Sequence, residues 1–415
     1  MSSQAGGPAT ELPFIPFAAP DIGEAEIDAV VEALRSGWLT TGPAAAAFER
    51  EFAAYLLGMG PGTGIGTAPV TVPGTGAAVH AVALNSATAG LHLALEASGI
   101  GPGDEVIVPT WTFTATAEVV RYLGADPIIV DVDPDTLNLD LDGARAAITA
   151  RTRAIIPVHF GGLPLDRTAL GVLADAHELA VIEDAAHCFP AMSAGVPVGL
   201  GDSAAVVFSF YATKTMTTGE GGMVVTADPA LAQRVKTMRL HGISRDVFDR
   251  YSAPGASWAY EVVAPGYKYN LTDPAAAMGR VQLARAAQMR DRRAAIAQRY
   301  DAALADLPVR RPAGADSAGT THAWHLYVLR LEVDAPMSRD AFIAAMAAEY
   351  GIGCSVHFIP LHRHPYWRDR YALARERFPQ AEAAFAGAVS LPLSSALTDA
   401  QVDRVIAATR GLLAS

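Results

Sequence analysis

From Ala81 onward the sequence keeps a regular rhythm, and that rhythm restricts the fold more than any other feature of the chain. "LHLALEASGI" reads as a helix, "DEVIVP" as a strand, "TATAEVVRYLG" as a helix and "DPIIVDVD" as a strand. "RAIIPVHF" and "AVIEDAA" are further strands, with the helix "RTALGVLADAHEL" between them. "GDSAAVVFSF" and "GGMVVTAD" add two more short apolar runs. Buried strands alternating with helices specify an α/β domain on a mostly parallel sheet. Ligands in such sheets collect at the carboxyl ends of the strands, so the polar residues found there carry the functional argument.

The chain has 415 residues, 51% of them hydrophobic, which is enough for a large core shared between two unequal domains. Residues 1–20 read as a Pro/Gly/Ala-rich arm. In "DIGEAEIDAVVEALRSG" the spacing of Ile27, Val30, Val31 and Leu34, closed by Gly37, predicts a helix. The Gly-rich stretch at residues 59–79 contains GTGIG, but its spacing is wrong for a dinucleotide loop and no strand precedes it. It reads as a surface insertion. The large domain is taken as residues 21–283 and a smaller α+β domain as 284–415, where "AWHLYVLRL" reads as a strand and "SRDAFIAAMAAEYG" as a helix ended by Gly351.

Charge and composition narrow the classes of function. A net charge of -12 argues against a nucleic-acid binder, which needs clustered Lys and Arg. The most apolar window, "AVHAVALNSATAGLHLAL", is interrupted by Asn85, Ser86 and Thr88, so no membrane span is expected. Cys188 and Cys354 are far apart and fit a reducing, cytoplasmic setting. His357, His362 and His364 lack the spacing and the acidic or thiol neighbours of a metal site, so no metal is expected.

Four strand ends carry polar residues. At "NSATAGLHLAL" a helix opens on small residues and Thr88, giving either an ordinary cap or an anion cradle of free N–H groups. At "VPTWTFTATAEVV" Trp111 could stack on a flat ligand or fill the core. At "AVIEDAAHC" Glu183 and Asp184 end an apolar strand, where a carboxylate needs cationic partners or donors to stay ionised. In "SFYATKTMTTGEGG" Lys214 lies on the connection between two buried strands and must be solvated, paired or chemically used. Taken together, a cradle, a flat ring, a buried carboxylate and a lysine are the parts that hold pyridoxal 5'-phosphate. On that reading the N–H groups of Ala87 and Thr88 take the phosphate, Trp111 covers the ring and Asp184 pairs with the ring nitrogen. Lys214 forms the Schiff base.

The ordered blocks "SGWLTTGP", "NSATAGLHLAL", "GDEVIVPTWTFTATAEVV", "VDVDPDTLNLD", "AIIPVHFGGLPLD", "VIEDAAHC", "SFYATK", "EGGMVVT", "GYKYNLTD" and "GIGCSVHFIPLH" span nearly the whole chain. They resemble the DegT/DnrJ/EryC1/StrS family of nucleotide-sugar aminotransferases within fold-type I of the pyridoxal-phosphate enzymes. In wording they are closest to the UDP-4-amino-4-deoxy-L-arabinose synthase type. The resemblance adds Ser209 to the phosphate ligands, sets His187 beside the ring oxygen, and implies that Asn270 reaches the phosphate of a second subunit in a homodimer with shared sites. Sugar dehydratases among the relatives carry histidine where this chain has Lys214, so transamination is the expected chemistry.

The resemblance implies L-glutamate as donor and a nucleotide-linked keto-sugar as acceptor. The expected acceptor is a dTDP-4-keto-6-deoxyhexose aminated at C4 for a secondary-metabolite or surface-glycan sugar, with a UDP-4-keto-pentose or a 3-keto sugar as alternatives. Arg245 and Lys268 are candidates for binding the diphosphate, and His325 and Tyr327 for lining the sugar pocket. A non-catalytic relative that only binds cofactor or nucleotide sugar is the rival of another class, and such a protein has no need for Lys214.

Overall fold

The computed structural model describes residues 13–59, 70–71, 78–244, 260–315 and 317–414. Among the described residues the large domain is built on eight strands: β1 (Val70–Thr71), β2 (Ala78–Leu84), β3 (Glu105–Pro109), β4 (Asp126–Val130), β5 (Thr152–Ile155), β6 (Ala180–Asp184), β9 (Ala205–Ser209) and β10 (Gly222–Thr226). A separate small hairpin supplies β7 (Met192–Ser193) and β8 (Val196–Pro197). The sheet runs in the order β1-β2-β10-β9-β6-β5-β3-β4. β4, β3, β5, β6 and β9 are parallel, and β10 is antiparallel to both β9 and β2. Two reversals bring β2 back into the parallel direction. The carboxyl ends of β2, β3, β6 and β9 and the start of β10 therefore share one edge of the sheet.

Both faces of the sheet are covered, which is why its strands are continuously apolar. Val82 and Leu84 of β2 and Ala205 and Val207 of β9 pack into one cluster. The alternating residues Ala81, Ala83, Val206 and Phe208 pack into the cluster on the other side with Phe48 and Phe52. The described part of the Gly-rich insertion is β1, which pairs Val70 with Val79; its remainder, GTGIG included, lies outside the described residues.

The small domain has a three-stranded antiparallel sheet, β11 (Val309–Arg310), β12 (Tyr327–Leu331) and β13 (Ala388–Leu391), covered by the helices Arg339–Tyr350 and Asp399–Leu413. No linker divides the domains at 283/284, because one helix, Asp273–Ala303, runs through that point. Leu283 belongs to the large-domain core and Ile296 to the small-domain core. The start of the chain is also docked: Ile15 is fully buried, donating its N–H to the Gly351 carbonyl at 2.9 Å and accepting the Gly353 N–H at 2.8 Å.

The helix Glu24–Arg35 forms where its spacing predicts, but its apolar stripe is not turned inward. Glu26 faces the long helix instead, accepting from Arg285 at 2.6 Å and Gln282 at 2.8 Å, while Ile27 and Leu34 are 48% and 53% exposed. Among the described residues no helix is long and apolar enough to cross a membrane.

Candidate active site

A cavity of about 520 Å³ opens at the shared strand edge. After β2, Ser86 caps the helix Ala87–Ala97 by accepting the Ala89 N–H at 3.1 Å. The N–H groups of Ala87 and Thr88 precede the first helical bond and have no partner within the described residues, so they face the cavity with the positive end of the helix. After β9, Ser209, Tyr211, Thr213 and Lys214 form the adjoining wall. Thr112, Phe113 and Thr116 follow β3, and Asp184 and His187 follow β6.

Asp184 is buried and Lys214 half-buried on the cavity wall, and the two lie within electrostatic reach of one another. Burial pushes the Asp184 carboxyl above its usual range, against hydrogen bonds from Thr116 and the Ala186 N–H and the charge of Lys214. Burial pulls the Lys214 ammonium down to about 8, against the charge of Asp184. Each group is thus moved toward its uncharged form, which a ligand that pairs with either charge would reverse. His187 and His325 are held well below the usual histidine range and His357 near 4, first by burial and then by the Lys214 charge. The His187 Nδ1 accepts the Gly161 N–H at 3.3 Å, so its ring proton is on Nε2.

Residues from the small domain complete the cavity. His325, His357 and Phe358 line it together with Phe17 from the N-terminal segment. The Gly161–Gly162 turn fixes this side: Ala323 N–H donates to the Gly162 carbonyl at 2.8 Å and Leu326 N–H to the Gly161 carbonyl at 3.0 Å. Gly162 has φ +104°, and a Cβ there would come within 2.9 Å of the Trp324 nitrogen and 3.0 Å of the His325 nitrogen. Beneath the segment, the buried Arg293 donates to the Leu393 carbonyl at 2.8 Å and to the His325 carbonyl at 3.3 Å.

Ala87, Thr88, Asp184, His187, Ser209, Lys214 and His325 meet in this one cavity, although they lie far apart in the chain. Three expected contacts are placed otherwise. Trp111 is fully buried, its indole N–H donating to the His357 carbonyl at 3.2 Å and its ring set against Phe160 and Phe385; Phe113, two residues on, faces the cavity instead. Tyr327 packs into the small-domain core and donates its hydroxyl to Asp301 at 2.8 Å, because strand alternation turns it away. Lys268 is exposed and does not line the cavity. Asn270, expected at the phosphate of a second subunit, donates within its own chain to the Thr41 hydroxyl at 2.7 Å. Arg245 lies outside the described residues.

The neighbour of Asp184 has a different setting. Glu183 projects to the other face of β6, where it accepts from His159 Nε2 at 2.7 Å, from Arg167 Nε and Nη2 at 2.9 Å each, and from Ser203 at 2.5 Å. Burial alone would raise its carboxyl, but the His159 and Arg167 contacts outweigh that and hold it near 2. Sequence reasoning passed over Thr112 and Thr116, whose signal was two hydroxyls four residues apart at the start of a helix facing a strand end.

Residues 20–69 and 75–410 match the DegT/DnrJ/EryC1/StrS aminotransferase family. The chain is 44% identical over 402 residues to the spore coat polysaccharide biosynthesis protein SpsC of Bacillus subtilis strain 168, covering 96% of this chain and 97% of that one. Among solved structures it resembles the sugar aminotransferase Spr1654 of Streptococcus pneumoniae in its PMP form, at 33% identity and a TM-score of 0.83, covering 96% of this chain and 97% of that one. It also resembles DesV of S. venezuelae at 35% identity and a TM-score of 0.82, covering 96% and 98%.

Proposed function

The chain belongs to the DegT/DnrJ/EryC1/StrS aminotransferase family, and from that premise we propose that it moves an amino group from L-glutamate to a nucleotide-linked keto-sugar. It is a pyridoxal-phosphate-dependent sugar aminotransferase. The acceptor we favour is a dTDP-4-keto-6-deoxyhexose, aminated at C4. Use of the product in a surface glycan is supported by the 44% identical relative named for spore coat polysaccharide. One observation carries the reading: Lys214 and Asp184 line one cavity, each shifted toward its uncharged form, beside a helix N-terminus with two unpartnered N–H groups.

Those groups fit the cofactor. Ala87, Thr88 and Ser209 would hold its phosphate, Asp184 its ring nitrogen and His187 its ring oxygen, with Phe113 rather than Trp111 beside the ring. When bound, the cofactor supplies an electron-poor ring that takes up the electron pair left as a proton leaves carbon. The chain's own residues do the rest. Burial brings the Lys214 ammonium down to about 8, so its Nζ can take a proton from the donor's alpha carbon and return one to the acceptor's carbon in the second half-reaction. Asp184 stays charged only while its donors and the ligand compensate its burial. His325, His357 and Phe358 close the cavity from the small domain and limit water at Lys214. The imidazoles are neutral there, so they add no further positive charge against the lysine.

A homodimer is part of the proposal. Ile22, Ile27, Leu34 and Leu39 leave an apolar face open around the first helix, which a second copy would cover. The loop with Lys268 and Asn270 would then serve the partner's cavity, and Arg245 and Lys268 would meet the nucleotide diphosphate. We place the reaction in the cytoplasm, where the free thiols Cys188 and Cys354 stay reduced.

The test is an absorbance spectrum of the purified protein, followed by L-glutamate and then by dTDP- and UDP-linked keto-sugars in turn. A visible band bleached by glutamate and restored by the dTDP-4-keto-6-deoxyhexose is the expected result. Restoration by a different keto-sugar alone would overturn the choice of acceptor.

A further inference from the structure

Asp184 is held by two donors of its own chain. The Ala186 N–H reaches Oδ1 at 3.1 Å and the Thr116 hydroxyl reaches Oδ2 at 2.8 Å. A second hydroxyl, that of Thr112, lies 2.8 Å from the Thr116 hydroxyl. Each hydroxyl has a single proton to give. Asp184 in its charged form can only accept, so Thr116 then gives it its proton and the contact between the threonines runs from Thr112 to Thr116. Both side chains are closed off from water, Thr116 at 0% and Thr112 at 2% exposure. Threonine at the start of a helix usually turns its hydroxyl to nearby backbone. Here Thr116 reaches instead to a strand 68 residues away.

We infer that Thr112 and Thr116 form a two-hydroxyl relay that keeps Asp184 ionised and correctly oriented, and so sets how tightly the ring nitrogen of the cofactor is held. A donor to the charged form of a buried carboxyl favours that form, and a hydroxyl that itself accepts a hydrogen bond is polarised into a better donor. The other charged groups around Asp184 do not replace it: Lys214 acts without a hydrogen bond, and His159 hydrogen-bonds to Glu183. Thr112 and Thr116 act as positioning residues through Asp184. The inference rests on Asp184 being the partner of the ring nitrogen, and it does not depend on which sugar is the acceptor.

Pyridoxamine phosphate is the probe, because without an aldehyde it cannot bond to Lys214 and its affinity reports the non-covalent contacts alone. Calorimetric titrations from about pH 5 to about pH 9 would compare the wild type with Thr116→Val, Thr116→Ser, Thr112→Val and Asp184→Asn, each checked for its melting temperature. Valine keeps the shape of threonine and removes the donor. Thr116→Val is expected to weaken binding on the order of tenfold, as for loss of a hydrogen bond to a charged group. The pH below which affinity falls should also move upward, because Asp184 then protonates sooner. Thr116→Ser should restore both readings, and Thr112→Val should show the same changes at smaller size. Wild-type affinity and pH profile in Thr116→Val, with weak binding in Asp184→Asn, would overturn the relay alone. Normal binding in Asp184→Asn would overturn the assignment of Asp184 as well. Should Thr116→Val fail to fold, Thr112→Val decides: an unchanged pH profile there overturns the relay.

Discussion

Glu183 and Asp184 are consecutive residues of one strand, both buried, and the chain treats them in opposite ways. Glu183 meets a guanidinium, an imidazole and a hydroxyl, and every lone pair of consequence is filled. Asp184 meets one hydroxyl and one N–H, with Lys214 acting through space. Glu183 therefore ionises more readily than in water and Asp184 less readily. Alternation along the strand alone separates them. A saturated buried charge locks two elements together, whereas an unsaturated one at a strand edge is stabilised further only by what enters from outside. The difference assigns Glu183 to the scaffold and Asp184 to the ligand.

Lys214 lies on Asp184's side of that division, and replacing it should give the largest effect. Lys214→Ala is expected to lower the rate of the glutamate half-reaction by about 10³-fold or more, measured in single-turnover spectra, while still binding pyridoxamine phosphate. Next is Asp184→Asn, expected to cost on the order of 10²-fold in turnover with a melting temperature at or above that of the wild type, because a poorly compensated charge has been removed. Glu183→Gln should do the reverse. Leaving Arg167 without its charge partner is expected to cost about 3 kcal/mol in denaturant unfolding, with cofactor affinity kept. If Asp184→Asn loses stability and Glu183→Gln loses cofactor, the comparison is broken. The smallest effect is in the pH dependence. The Glu183 carboxyl is depressed from 4.5 to about 2, so its stabilisation is complete above pH 4.5 and is lost as pH falls toward 2. The stability gap between wild type and Glu183→Gln should close over that interval.

The sequence made the large domain readable because its strands are apolar on both faces and its helices begin and end on clear signals. Thr88, Asp184 and Lys214 could be found for the same reason: each ends or follows a strand, and strand ends converge; Ser209 entered only through the family resemblance. Trp111 and Phe113 could not be told apart, since both follow β3 and only docking against His357, from the far end of the chain, decides which ring is buried. Residues that reach the cavity from the small domain depend on contacts that have no local signature, such as the Gly161–Gly162 turn against Ala323 and Leu326. Tyr327 was misplaced because strand phase inside the small domain had no anchor in the sequence. The stripe of Ile27 and Leu34 was correctly read as a helix face, yet the sequence alone could not say whether that face meets this chain or another.

The helix Asp273–Ala303 begins with Asp273 receiving the N–H groups of Gly42, Ala44 and Ala45, and its later turns bring Arg293 beneath His325. At about 1.5 Å per residue it is a rod of roughly 45 Å. A rod of that kind is a poor hinge. Opening the cavity by swinging the two domains apart would require bending it near Leu283, so substrate traffic falls to the loops around the rim. Cutting the chain between Leu283 and Ala284 would not release two domains that fold independently. It would leave each half of the protein holding a broken piece of the other's support.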